Sequence, residues 1–158
     1  MTPSFLDKLL DRLDRVSHDE LRGEVARASA ALREAGVEIG DRVAAMMPNM
    51  PETVAAMLAT ASIGAVWSSC SPDFGEQGVL DRFGQIEPVV FIAPDGYWYN
   101  GKAIEVADKI AAVAAKLPTV GKILIVDYLG SLFNVAATTE KATALDEALS
   151  SFAAKPVT

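Results

Sequence analysis

The chain has one cysteine and one histidine in 158 residues, and that scarcity removes whole classes of chemistry. Cys70 alone cannot form an internal disulfide, which points to a reducing compartment. Cys70 and His18 together cannot build a Cys/His metal site. A Ser or Cys nucleophile needs a base to take its proton. His18 is remote in sequence from Trp67-Ser68-Ser69-Cys70-Ser71, so that run is not read as hydrolytic. Positive charge is also scarce, with 14 Lys and Arg against 21 Asp and Glu and a net charge of -7. Nucleic-acid binding by counterion release needs clustered basic residues, so no nucleic-acid partner is expected. No run approaches the roughly 18 apolar residues of a membrane span. The first fifteen residues, MTPSFLDKLLDRLDR, mix charge with Leu at helical spacing where a signal peptide would have an apolar core. The expected location is therefore the cytoplasm, with no membrane partner.

What is present is a core-forming composition, 51% hydrophobic, enough for one compact domain or a piece of a larger one. Residues 42–47, 65–69, 89–93 and 122–126 are short apolar runs bounded by Pro, Gly, Ser or Asp, as strands buried on both faces should be. The segments between them have helical length. Ser17-His18-Asp19-Glu20 fits a capping box, after which Leu21, Val25, Ala28 and Leu32 recur at helical spacing and Gly36 supplies a stop. His18 is then an exposed helix-start residue. Further helices are predicted over 52–62, 76–86, 104–116 and 145–152. The one at 52–62, apolar nearly all round, is expected to be buried on all sides. Glu87-Pro88 should end the third, because the residue before proline disfavours helical geometry.

The fold class that follows is α/β, a mostly parallel sheet of about four strands with flanking helices. The chain divides into an N-terminal helical segment (1–15), an α/β region (16–127) and a weakly patterned C-terminal segment (128–158). In such sheets ligands sit at the carboxyl ends of the strands, here Pro48-Asn49, residues 69–75, residues 94–102 and Asp127-Tyr128.

Gly96 to Lys102 spells G-x-x-x-x-G-K, the outline of a phosphate-binding loop. Ala103 stands where the Ser or Thr for Mg²⁺ would follow, and Tyr97, Trp98 and Tyr99 are bulky for a backbone that must wrap a phosphate. An aromatic surface turn, or a cofactor edge with ring stacking and Lys102 near a phosphate, fits better. Ser71-Pro72-Asp73 reads as a turn and helix start whose side chains satisfy free backbone donors. Asp73, Glu76 and Asp81 suit the positive end of a helix dipole without catalysis. Met46, Met47, Met50 and Met57 read as core packing.

With these residues in view, the chain resembles the acyl-CoA synthetases of the adenylate-forming superfamily. The matching stretches are VSHDELRGEVARASAALREAGVEIGDRVAAMMPN, PETVAAMLATASIGAVWSSCSPDFG, VLDRFGQIEP and DGYWYNGK. WSSCSPDFG with GVLDRFGQIEP is characteristic of the acetoacetyl-CoA synthetase branch. The resemblance implies a part of the large N-terminal domain of an adenylate-forming enzyme. It implies ligase chemistry with ATP, Mg, CoA and acetoacetate, in which an acyl-adenylate forms and CoA thiol displaces AMP. The superfamily's Gly/Ser/Thr-rich phosphate loop ending in Lys, its Thr-Glu pair, its ribose-binding Asp and its C-terminal catalytic Lys are not found in these residues. No catalytic residue is therefore assigned, and an amino-terminal fragment inactive by itself is expected. By the same resemblance Ser71, Pro72 and Asp73, and Tyr99, Asn100, Gly101 and Lys102, correspond to positions that contact the CoA nucleotide. Lys102 is the foremost of them, because Asp73 would repel a phosphate. The alternatives are a non-catalytic nucleotide- or CoA-binding α/β module, and a structural subunit that associates through exposed apolar surface.

Overall fold

The computed structural model describes residues 16–152; the helical segment expected over 1–15 lies outside them. The described chain runs α1 (His18–Glu34), β1 (Arg42–Met46), α2 (Pro51–Ile63), β2 (Val66–Cys70), α3 (Glu76–Phe83) and β3 (Val90–Pro94). It continues with β4 (Gly96–Tyr99), β5 (Lys102–Glu105), α4 (Ala107–Ala115), β6 (Lys122–Val126), α5 (Leu132–Thr138), β7 (Ala142–Ala144) and α6 (Leu145–Ser150). Five strands form one sheet in the order β2-β1-β3-β6-β7, and every pairing in it is parallel. The α/β sheet expected from the apolar runs is present, with β7 added at one edge.

The alternation of side chains along each strand divides the core in two. Val43, Ala45, Ile92, Leu124 and Val126 face α1, α2 and α6, packing with Val25, Leu32, Ala59 and Leu145. Ala44, Met46, Phe91, Ala93, Ile123 and Ile125 face α3, α4 and α5, packing with Val79, Phe83, Ile110 and Val135. Both faces of each central strand are thus covered, which is why these strands read as unbroken apolar runs.

The capping box forms as expected: Ser17 Oγ accepts from Glu20 N (3.1 Å), and Glu20 Oε2 accepts from Ser17 N (3.3 Å). Helix α2 begins with Pro51 and ends at Gly64, whose φ of 83° is the left-handed conformation that glycine tolerates at a helix end. Arg42 pins the turn before β3, donating to the carbonyls of Ile86 (2.6 Å) and Glu87 (3.0 Å).

Several expectations are corrected. Helix α2 is not buried on all sides, since Val54, Met57 and Leu58 are 42%, 40% and 39% exposed. Its inner face of Ala55, Ala56, Ala59 and Ile63 is the buried one. Met57 is therefore not in the core, whereas Met46, Met47 and Met50 are buried, Met46 on one face of the sheet and the other two on the opposite face. Gly96 to Lys102 is not an aromatic surface turn but the first strand and bend of an antiparallel ribbon, β4 with β5. Asn100 (φ 49°) and Gly101 (φ 73°) occupy the bend, the two left-handed positions of a type I′ hairpin turn. The ribbon takes up residues 102–105, so the following helix starts at Ala107. Helix α3 carries no side-chain cap, and its N-cap is Gly75. The weakly patterned stretch after Asp127 forms α5, β7 and α6, anchored by buried Val135 and Leu145.

Candidate functional site

The strand order β2-β1-β3-β6-β7 in a parallel sheet opens a crevice where successive crossovers diverge, between the carboxyl ends of β1 and β3. A cavity of about 600 Å³ lies there. Its walls come from the end of β1 (Met47, Pro48, Asn49), the turn after β2 (Ser71 to Phe74), the ribbon (Tyr97, Trp98, Tyr99) and Tyr128 after β6. Arg82 of α3 adds a cation to the lining. Thr53 in the first turn of α2 donates its hydroxyl to the Pro48 carbonyl (2.7 Å). Met47 N donates to Cys70 O (3.1 Å), carrying the β1–β2 ladder to the cavity's edge.

Ser71, Pro72, Asp73 and Tyr99 line this cavity. Asn100, Gly101 and Lys102 do not; they form the exposed hairpin tip just beyond Tyr99, with Lys102 paired across the ribbon to Tyr99. Of the two groups, only Ser71, Pro72, Asp73 and Tyr99 share the cavity lining. The G-x-x-x-x-G-K run is spent on the hairpin, so its amides pair across a ribbon instead of converging on a phosphate at a helix start.

Cys70 is buried, and burial pushes its thiol up to about 11, against smaller opposing effects of Arg82 and Lys109. That is the reverse of an activated nucleophile. His18 sits at the start of α1 and is exposed.

Sequence reasoning missed Lys109. From the first turns of α4 its ammonium donates to the carbonyls of Pro72 (2.6 Å) and Phe74 (2.9 Å). It also lies 5.8 Å from the centre of the Tyr97 ring, within cation–π range. One side chain therefore ties the turn after β2 to α4 and the ribbon. Burial lowers the Lys109 pKa from its ordinary value, opposed by Cys70 and Asp73. Tyr97 is shifted upward, first by burial and then by Asp73 and Tyr99. No sequence signal marks Lys109, because its hydrogen-bond partners lie more than thirty residues away. The hairpin did carry one: Asn100-Gly101 between residues of high strand propensity. Among the described residues, no helix is long and apolar enough to cross a membrane.

Known proteins place this geometry in a family. The chain is 59% identical over 145 residues to an acetoacetyl-coenzyme A synthetase of Rhizobium meliloti, a match covering 90% of this chain and 22% of that protein. It is 48% identical over 117 residues to the acetoacetyl-CoA synthetase of Gallus gallus, covering 74% of this chain and 18% of the relative. The solved acetoacetyl-CoA synthetase from Streptomyces lividans superposes with a TM-score of 0.82 at 42% identity, covering 91% of this chain and 21% of that one. The chain thus spans about a fifth of the length of these relatives. The sequence profile of AMP-binding enzymes matches residues 3–156, nearly the whole chain, and the chain belongs to the AMP-binding enzyme family.

Proposed function

We propose that this chain supplies the CoA-facing part of the large domain of an acetoacetate–CoA ligase and forms no product by itself. The observation that carries this reading is 59% identity to an acetoacetyl-CoA synthetase in a chain whose cavity lies at the carboxyl ends of β1, β2 and β6. In the reaction of the whole enzyme, acetoacetate and ATP give acetoacetyl-adenylate and pyrophosphate, and the CoA thiol then displaces AMP. Ser71, Pro72 and Asp73 contact the CoA nucleotide from one side, and Tyr99, Asn100, Gly101 and Lys102 from the hairpin. Lys102 is exposed and can neutralise a phosphate, while Tyr99 offers a ring to the adenine. Arg82 supplies a further cation in the cavity lining, and Asp73 turns phosphate away from its own side.

ATP chemistry needs donors already arranged around the transferring phosphates, and the 158 residues carry no Gly/Ser/Thr-rich loop ending in Lys to provide them. Among the described residues no group of three or more His, Cys, Asp or Glu is placed to hold a metal ion. No step is assigned through the family's Mg. Incubating the chain with ATP, Mg, CoA and acetoacetate should release no AMP above background; AMP formation would sink the inactivity. Calorimetry with CoA tests the site, with measurable heat expected and weaker binding in Lys102→Ala.

The exposed face of Val54, Met57 and Leu58 on α2, with half-exposed Val66 on edge strand β2, favours a second reading as an interaction surface. Light scattering separates it, since a monomer at high concentration rules out self-association.

A further inference from the structure

The turn after β2 closes itself with one bond, from Phe74 N–H to the Ser71 carbonyl (3.2 Å). Pro72 then stands at the second position of the turn and Asp73 at the third. Proline at the second position suits type I and type II turns alike, and the two forms differ by a flip of the central peptide, here Pro72–Asp73. Type II requires positive φ at the third residue, which favours glycine. Among the described non-glycine residues positive φ is confined to Glu87 and Asn100, so Asp73 holds the type I form. The bond from Phe74 to Ser71 is common to both forms and does not choose between them.

Lys109 does choose. Its ammonium donates to the Pro72 carbonyl (2.6 Å), which belongs to the very peptide that would flip, and to the Phe74 carbonyl (2.9 Å). In a planar trans peptide the C=O and N–H point opposite ways, so the Asp73 N–H is turned away from Lys109. A flip would set that N–H against an ammonium, donor against donor. Ser71 to Phe74 line the cavity and half-buried Lys109 does not, so the two carbonyls point behind the wall. The same ammonium lies 5.8 Å from the centre of the Tyr97 ring, which belongs to the ribbon wall. One cation therefore faces two walls.

We propose that Lys109 is a positioning residue for the cavity: it locks the Pro72–Asp73 peptide in the type I form and so sets the face that residues 71–74 present to a ligand. Its effect on CoA rests on the ligase reading given above; its effect on the turn does not.

Two measurements on the whole chain test this, with Lys109→Met, which keeps the apolar stem but no donor, and Lys109→Arg, which keeps charge and donors. Without ligand, the NOE between Pro72 Hα and Asp73 N–H reports the flip, since these protons are far apart in a type I turn and close in type II. It should be weak in the native chain and in Lys109→Arg, and should rise in Lys109→Met. Calorimetry should then show CoA bound roughly three- to tenfold more weakly by Lys109→Met, the size expected when a ligand must itself order a loop, with most of the affinity restored in Lys109→Arg. Urea unfolding separates this from general damage, because a variant that stays almost wholly folded loses no affinity through unfolding. An unchanged NOE in Lys109→Met, or CoA bound as tightly by that variant as by the native chain, overturns the proposal. Absent CoA heat in the native chain sinks the ligase reading instead, and the NOE still decides whether Lys109 sets the turn.

Discussion

At one corner of the sheet's carboxyl edge the Asp95 carboxylate is buried under three amides; at the other, the turn of residues 71–74 leaves Ser71, Asp73 and Phe74 exposed. Both corners join distant segments, but they spend their polar groups differently. The Asp95 corner turns its donors and acceptors inward, and Leu129 packs so closely on Gly96 that an added Cβ would lie 2.2 Å from Leu129 Cδ1. The turn after β2 is held from behind, where Lys109 takes the carbonyls of Pro72 and Phe74. Its outward face keeps unused polar and aromatic surface. A corner saturated internally can only position other groups, whereas one braced from behind can also receive a ligand.

The largest effect expected from breaking this contrast is Asp95→Ala, which leaves three part-buried amides without their carboxylate acceptor. It should cost about 3–5 kcal/mol in urea unfolding, since each orphaned buried group costs roughly 1–3 kcal/mol. A loss below about 1 kcal/mol would show that water replaces the carboxylate and that the corner is not closed. Next is Gly96→Ala, whose methyl would also lie 2.6 Å from the Ile104 carbonyl. Overpacking of that kind should cost about 1–3 kcal/mol. Leu129→Ala in the same chain should relieve only part of it, because the backbone clash remains.

The smallest is Lys109→Met, about 1 kcal/mol, because water can reach the carbonyls it leaves. Its signature is local, with faster amide exchange at Phe74 and Gly75 and rescue by Lys109→Arg. A large global loss there would mean that the open corner carries as much of the fold as the closed one.

How much was legible in the sequence follows from how far apart the interacting residues lie. The four runs at 42–47, 65–69, 89–93 and 122–126 were readable because burial on both faces leaves an unbroken apolar string. The start of α1 was readable because Ser17 and Glu20 are three residues apart and complete their bonds locally. The hairpin was local too, in Asn100-Gly101, but its Gly and Lys spacing imitated a phosphate loop. Composition misjudged α2, because periodicity cannot say whether a neighbour covers the outer face of Val54, Met57 and Leu58. The strand ends that wall the cavity were legible from the parallel-sheet rule, and Ser71, Pro72, Asp73 and Tyr99 lie there. Tyr128, at the strand end Asp127-Tyr128, also lies there; Arg82 and Lys109 were not singled out, since each reaches the cavity or its brace across the fold.

The sequence by itself determined the alternation of strands and helices, the parallel sheet and the family, because all three are written in contiguous patterns. Tertiary structure alone decided which cations approach the cavity, that Gly96 must stay small beneath Leu129, and that Asp95 gathers amides from thirty-three to thirty-six residues away. The physical reason is that a buried charge or a close backbone approach is settled by what the fold brings beside it, and neighbours along the chain carry no record of that.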